Sequence, residues 1–127
     1  MEETISLTEQ AIRLSPRDPQ MSVWCHRIGQ VHLLESRIDE AILWHEKARS
    51  ANPELPYVHG WLASEYGLKG ETERAAAELA EARRLTADGR YSSIAHLSRG
   101  YYGVPKIRAL FEATYFAGLR KAGVPEE

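Results

Sequence analysis

The chain has 127 residues, the length of one ordinary domain and enough to bury a single core. Hydrophobic residues make up 43% and charged residues 27%, which predicts folding rather than disorder. Net charge is −2, a near balance that argues against a nucleic-acid binder with its basic patch or stripe. The single cysteine, Cys25, excludes an intrachain disulfide and fits a reducing compartment.

The opening stretch, "MEETISLTEQ", is acidic and amphipathic, unlike a signal peptide. No apolar run approaches the ~18 residues needed to cross a bilayer. The expectation is a soluble, cytoplasmic chain with no membrane insertion. Helical register is already under way at Met1, so that residue reads as an arbitrary start.

The breaks in the text are "SPRDP" (15–19), "NPELP" (52–56), "GLKGET" (67–72), "TADGR" (86–90), "YYGVP" (101–105) and "AGVP" (122–125). Between them the chain is rich in Ala, Leu, Glu and Arg, which favours helices over strands. In order, helices are predicted over 3–14, 20–34, 37–51, 57–68, 72–85, 92–99 and 105–121. Pro19, Pro56 and Pro105 suit first helical turns, where a missing N–H costs nothing. Ser36 with Asp39 reads as a capping box. Gly70 suits a helix stop, as do Gly123 and then Pro125. Short connections predict antiparallel hairpins.

The stretch "SRIDEAILWHEKARSANP" (36–53) has a loose echo further along in "GETERAAAELAEARRLTA" (70–87). With Ser22 and Pro56 as first positions, small residues recur at Gly29 and Ala63, Ala41 and Ala75, and Ala48 and Ala82. Large apolar residues recur at Ile28 and Leu62, and His32 matches Tyr66. Small side chains belong where two helices cross closely, and outer positions are free to drift.

That period and phase resemble the tetratricopeptide repeat, a helix–turn–helix unit of about 34 residues. The resemblance implies an all-α solenoid of antiparallel helix hairpins with a C-terminal capping helix. It divides the chain into a partial repeat helix (1–18), two repeats (22–55 and 56–89) and a degenerate repeat with the capping helix (90–127). The pattern departs at the first-helix tryptophan position (Cys25, His59), at the second-helix aromatic (His45, Leu79) and at Ala87, where a proline would close the second repeat. The flanking phrases "AIRLSPRDP" (11–19) and "GLRKAGVPEE" (118–127) resemble the C-terminal repeat region of bacterial class III adenylate cyclases and related signalling proteins. No cyclase catalytic segment accompanies them.

Chemistry-bearing motifs are scarce. No phosphate-cradling GxxxxGK[ST] or GxGxxG occurs, and "WHEKAR" lacks the second His of a zincin helix. His32 and Glu35 are i,i+3 neighbours able to share a metal, but repeat positions of this kind are ordinarily packing residues. Cys25 and His45 read as buried structural residues. Trp24, Trp44 and Trp61 read as gap fillers, or as an aromatic ligand box. Arg83, Arg84 and Arg90 are the best anion-binding candidates, against a solvated helix end favoured by the dipole. No catalytic, cofactor-binding or metal residue is assigned.

By the repeat resemblance, first helices line the concave partner groove. Its residues here are Val23, His26, Gln30, Leu33, Tyr57, Gly60, Ser64 and Gly67. The Lys and Asn clamp of repeats that hold acidic C-terminal peptides is absent. Gly60, Ser64 and Gly67 form one stripe, and a mid-helix glycine costs about 1 kcal/mol against alanine. Either another backbone approaches closely there, or Gly67 merely frays the helix end. The implied function is a non-catalytic protein-interaction and regulatory module for a protein or peptide partner. A homodimer scaffold is the alternative, and an enzyme is the third reading. Residues 105–121 are expected to cap the last hairpin and to expose an aromatic face, with Tyr115, for self-association.

Overall fold

The computed structural model describes residues 20–86, 89–94 and 109–126. The predicted helices 3–14 and 92–99 lie largely outside these ranges, as do Ala11, Pro16, Pro19, Pro105 and Ile107. Five helices pack together and, among the described residues, there is no strand. They are α1 (Met21–Leu34), α2 (Ile38–Ala51), α3 (Pro56–Lys69), α4 (Thr72–Leu85) and α5 (109–122). A 3₁₀ turn, Arg90–Ser92, lies between α4 and α5.

None of α1–α4 has a side-chain hydrogen bond at its N-cap. Helices this short are marginal alone, so tertiary packing must hold them. Contacts give the directions. Ser22 at the start of α1 donates to the Ala48 carbonyl near the end of α2, and His26 meets His45 further in, so α1 and α2 are antiparallel. Tyr66 donates to Glu46 and Lys69 pairs with Asp39, which makes α2 and α3 antiparallel as well. Helix α5 runs parallel to α3: Ser64 meets Tyr115, and Gly67 meets Gly118.

The turn after α1 corrects the capping-box reading. Ser36 is not an N-cap; it sits in the left-handed region at φ 63° and ends α1. Its N–H donates to the Leu33 carbonyl and that of Arg37 to His32. After α3, Gly70 at φ 88° makes the same pair of bonds, to Gly67 and, through Glu71, to Tyr66. Both are Schellman turns, and Ser36 and Gly70 are the first residues of the two echoed stretches. Gly123 closes α5 in the same way, through bonds to Arg120 and Leu119.

All six small positions of the echo are buried: Gly29, Ala41, Ala48, Ala63, Ala75 and Ala82. The core has two lobes on either side of α3. One joins Cys25, Ile42, Ala48, Val58, Leu62, Tyr66 and Ala75. The other joins Leu33, Trp61, Leu79, Tyr91 and Ile94 to Phe111, Tyr115, Phe116 and Leu119 of α5. Helix α3 is therefore enclosed all round, with every residue from Val58 to Gly67 buried.

Candidate functional site

The predicted groove divides into two parts. On α1, Val23, His26 and Gln30 are half-buried and Leu33 is buried. On α3, Tyr57 is half-buried, while Gly60, Ser64 and Gly67 are fully covered by the chain's own later segments.

A Cβ at Gly60 would lie 2.6 Å from Cε1 of Tyr91. The expectation that this glycine lines an open groove is therefore corrected. At Gly67 a Cβ would strike the Gly118 carbonyl, so this glycine serves close backbone approach and not helix fraying. Gly118 in turn has no room for a side chain against Ser64. Three small residues thus let α5 lie directly on α3.

Helix α5 has a π-helical turn, Glu112–Phe116, at this contact. Such a turn shifts the hydrogen-bond ladder by one residue and leaves carbonyls seeking donors. Ser64 Oγ donates to the Tyr115 carbonyl at 2.7 Å, and Thr114 Oγ1 donates to the Leu110 carbonyl at 2.6 Å. Tyr115 stacks on Trp61 with ring centroids 4.2 Å apart and planes 19° from parallel. Tyr115, expected on a free face, is 1% exposed, because Trp61 and the Gly67–Gly118 approach draw it inside. Helix α5 thus turns its aromatic face inward onto α3, which corrects the expectation of a free one.

Beneath Trp61 lies a polar chain that sequence reasoning misses. Glu65, in the middle of α3, is 0% exposed. Its Oε2 comes within 2.6 Å of His45 Nδ1, off the line of a regular hydrogen bond. His45 Nε2 lies 3.0 Å from His26 Nδ1. The His45 ring is seated on Gly29, where a Cβ would come within 2.7 Å of it. Among the described residues no Lys or Arg pairs with Glu65. Burial, reinforced by the nearby Glu46 carboxylate, raises its carboxyl well above the ordinary range. Burial lowers His45 to about 3, and burial with the neighbouring His45 and Arg27 lowers His26 to about 3. These directions favour a protonated Glu65 and two neutral histidines. Between His45 Nε2 and His26 Nδ1 one nitrogen donates and the other accepts, as two neutral rings allow.

A second pair has the opposite chemistry. His59 Nδ1 lies 2.5 Å from Glu78 Oε2, and its Nε2 is 2.7 Å from the Pro53 carbonyl. Both ring nitrogens thus face oxygen atoms, which favours the imidazolium form. The hydrogen bond to Glu78 leads in raising its pKa. Arg49 pairs with the other Glu78 oxygen. Nearby, Tyr66 donates to Glu46 at 2.7 Å, and burial with that carboxylate pushes the phenol up to about 12.

Several of the remaining candidates have internal partners, while the Arg90 side chain lies outside the described residues. Arg37 Nε donates to His32 Nδ1 and pairs with Glu35, so the His32–Glu35 pair is engaged by a cation. Arg83 donates to the Tyr91 carbonyl and Arg84 donates twice to Glu81. Cys25 is buried, and burial raises its thiol. Trp24 and Trp44 are half-buried while Trp61 is in the core, with Lys47 lying over Trp44. Among the described residues, no group of three or more His, Cys, Asp or Glu is arranged to hold a metal ion, and no helix is long and apolar enough to cross a membrane.

Comparison with protein-family models, with curated proteins and with solved structures finds no match.

Glu65 has one signal in the sequence: it is a lone carboxylate within "VHGWLASEYG", a stretch with no other charged residue except by protonation of His59. Its partners His26 and His45 come from two other helices, which spacing does not bring together.

Proposed function

We propose that the chain is a non-catalytic protein-interaction module of the tetratricopeptide-repeat kind. Its own Tyr91 and α5 occupy Gly60, Ser64 and Gly67 on the α3 part of the concave face, and Val23, His26 and Gln30 on α1 meet a protein or peptide partner. The observation that carries this reading is the recurrence, in the same phase as the sequence echo, of both the Schellman turn and the buried small crossings, on helices of equal length. Repeat units of this kind bury their cores by stacking and leave extended faces for partners. The likeness of the flanking phrases to the repeat region of class III adenylate cyclases supports a place in a cytoplasmic signalling protein.

Photocrosslinking on the full chain tests this. A photoreactive residue at Val23 or Gln30 should give a discrete adduct with a partner protein, and one at exposed Glu73 on α4 should not. Equal labelling from Glu73, or none from α1, counts against the reading. Light scattering gives the alternative its test, because a stable dimer with α1 protected would favour a self-assembly scaffold.

A further inference from the structure

Trp61 connects two features with no obvious reason to be neighbours. Its ring stacks on Tyr115 of α5, and it lies 5.8 Å from the His45 ring at 27° and 5.8 Å from the His26 ring edge-on. Any charge placed on the two histidines therefore lies beside the aromatic contact that holds α5. Helix α5 adds no counter-charge there, since Phe111 and Tyr115 are its residues against Trp61.

Among the described residues, the other groups around the pair do not neutralise an imidazolium either. From α1 the neighbouring charge is Arg27, which repels it, and the Cys25 thiol is held neutral by burial. From α2, Glu46 is engaged by the Tyr66 hydroxyl. From α3, Tyr57 brings an aromatic ring 4.7 Å from His26, and His59 is committed to Glu78 and the Pro53 carbonyl. From α4, Glu78 engages Arg49, and Arg74 lies over the Tyr66 ring. Among the described residues Glu65 is the one acid in contact with the pair, and it is sealed.

We propose that the His26–His45–Glu65 chain is an acid-sensitive latch for α5. A proton taken up at half-buried His26 charges the floor under Trp61. The least costly response is release of α5, because water then reaches the two rings. Release uncovers Ser64 and Gly67, the residues that α5 covers. The direction follows from linkage. A histidine ordinarily titrating near 6.5 but held neutral to about 3 in the folded chain contributes stability that is full above 6.5 and is lost as pH falls from there. Glu65, already protonated, adds no negative charge to offset it.

Amide hydrogen exchange of the full chain between pH 7.5 and 5, corrected for the intrinsic pH dependence of exchange, tests this. Protection across 109–122 should fall at least tenfold while that of α4 falls less, and His26→Gln should flatten the α5 response. A wild-type profile that is flat in α5, or that falls equally in α4, overturns the proposal. So does a His26→Gln profile identical to wild type. Should His26→Gln not fold, wild-type imidazole NMR shifts decide: ring protonation coincident with α5 opening supports the latch, and opening without it overturns it.

Discussion

The two helical hairpins share a backbone and differ in their buried polar chemistry. α1–α2 and α3–α4 have helices of equal length, the same left-handed turn residue position and small residues at matching crossings. Yet His45 corresponds to Leu79, His59 to Cys25, Glu65 to Val31 and Glu78 to Trp44, so neither histidine–carboxylate pair is repeated. The pairs also behave oppositely. His45 and Glu65 are sealed with no cation paired to Glu65 among the described residues, and burial drives both toward neutrality. His59 and Glu78 have Arg49 and a backbone carbonyl beside them, and the hydrogen bond to Glu78 favours the charged ring. Identical side chains take different protonation states because desolvation decides one pair and hydrogen-bond partners decide the other.

The largest expected break in this comparison is His45→Ala. It empties a fully buried seat on Gly29 and leaves Glu65 without its neighbour, at a cost of about 2–4 kcal/mol. Urea unfolding at pH 7 measures it, and a loss below that of Leu43→Ala, on the exposed face of α2, would contradict the sealed geometry.

Overpacking the shared crossings comes next. Ala41→Leu and Ala75→Leu should each destabilise by ~1–3 kcal/mol, since both residues are completely buried at equivalent places. Thermal melts that leave either one unchanged would break the equivalence of the hairpins.

The two carboxylates should separate in size of effect. Glu78→Gln leaves charged His59 and Arg49 short of an anion and should cost about 1–2 kcal/mol. Glu65→Gln keeps shape and neutrality and should shift stability by less than about 1 kcal/mol. Equal losses would mean that Glu65 is ionised. The pH dependence has a matching sign. His59, raised above its ordinary value, contributes stability that is full below about 6.5 and is lost as pH rises through its folded pKa. The gap between wild type and His59→Phe should therefore shrink between pH 6 and 9 in denaturant melts.

The smallest effect concerns the turns. Ser36 occupies a left-handed position that Gly70 fills without steric cost. Ser36→Gly should stabilise by about 0.5–1 kcal/mol, and Gly70→Ser should destabilise by a similar amount. A lower melting temperature for Ser36→Gly would show that the serine side chain supports the turn.

Much of the helical scaffold is legible in the chain text. Helix ends at Leu34, Ala51, Lys69 and Leu85 fall within a residue of the predicted stops, because prolines and a turn glycine act locally. The small crossings at Ala41, Ala48, Ala75 and Ala82 are visible because periodicity is a property of sequence. Ser36 misleads because a serine before Ile38 and Asp39 looks like a cap, and only the bonds back to Leu33 and His32 reveal a helix end. Gly60 and Gly67 stand out in the text as anomalous, but their covers do not: Tyr91 and Gly118 lie far along the chain from them. The same holds for Glu65. A residue's chemistry and its helix face are set by the sequence alone, through short-range sterics and a regular period. Tertiary structure alone decides which distant groups share its space, and therefore whether His45 is neutral, His59 charged and the α3 face open or closed. Desolvation and pairing depend on what surrounds a group in three dimensions, and no local rule carries that information.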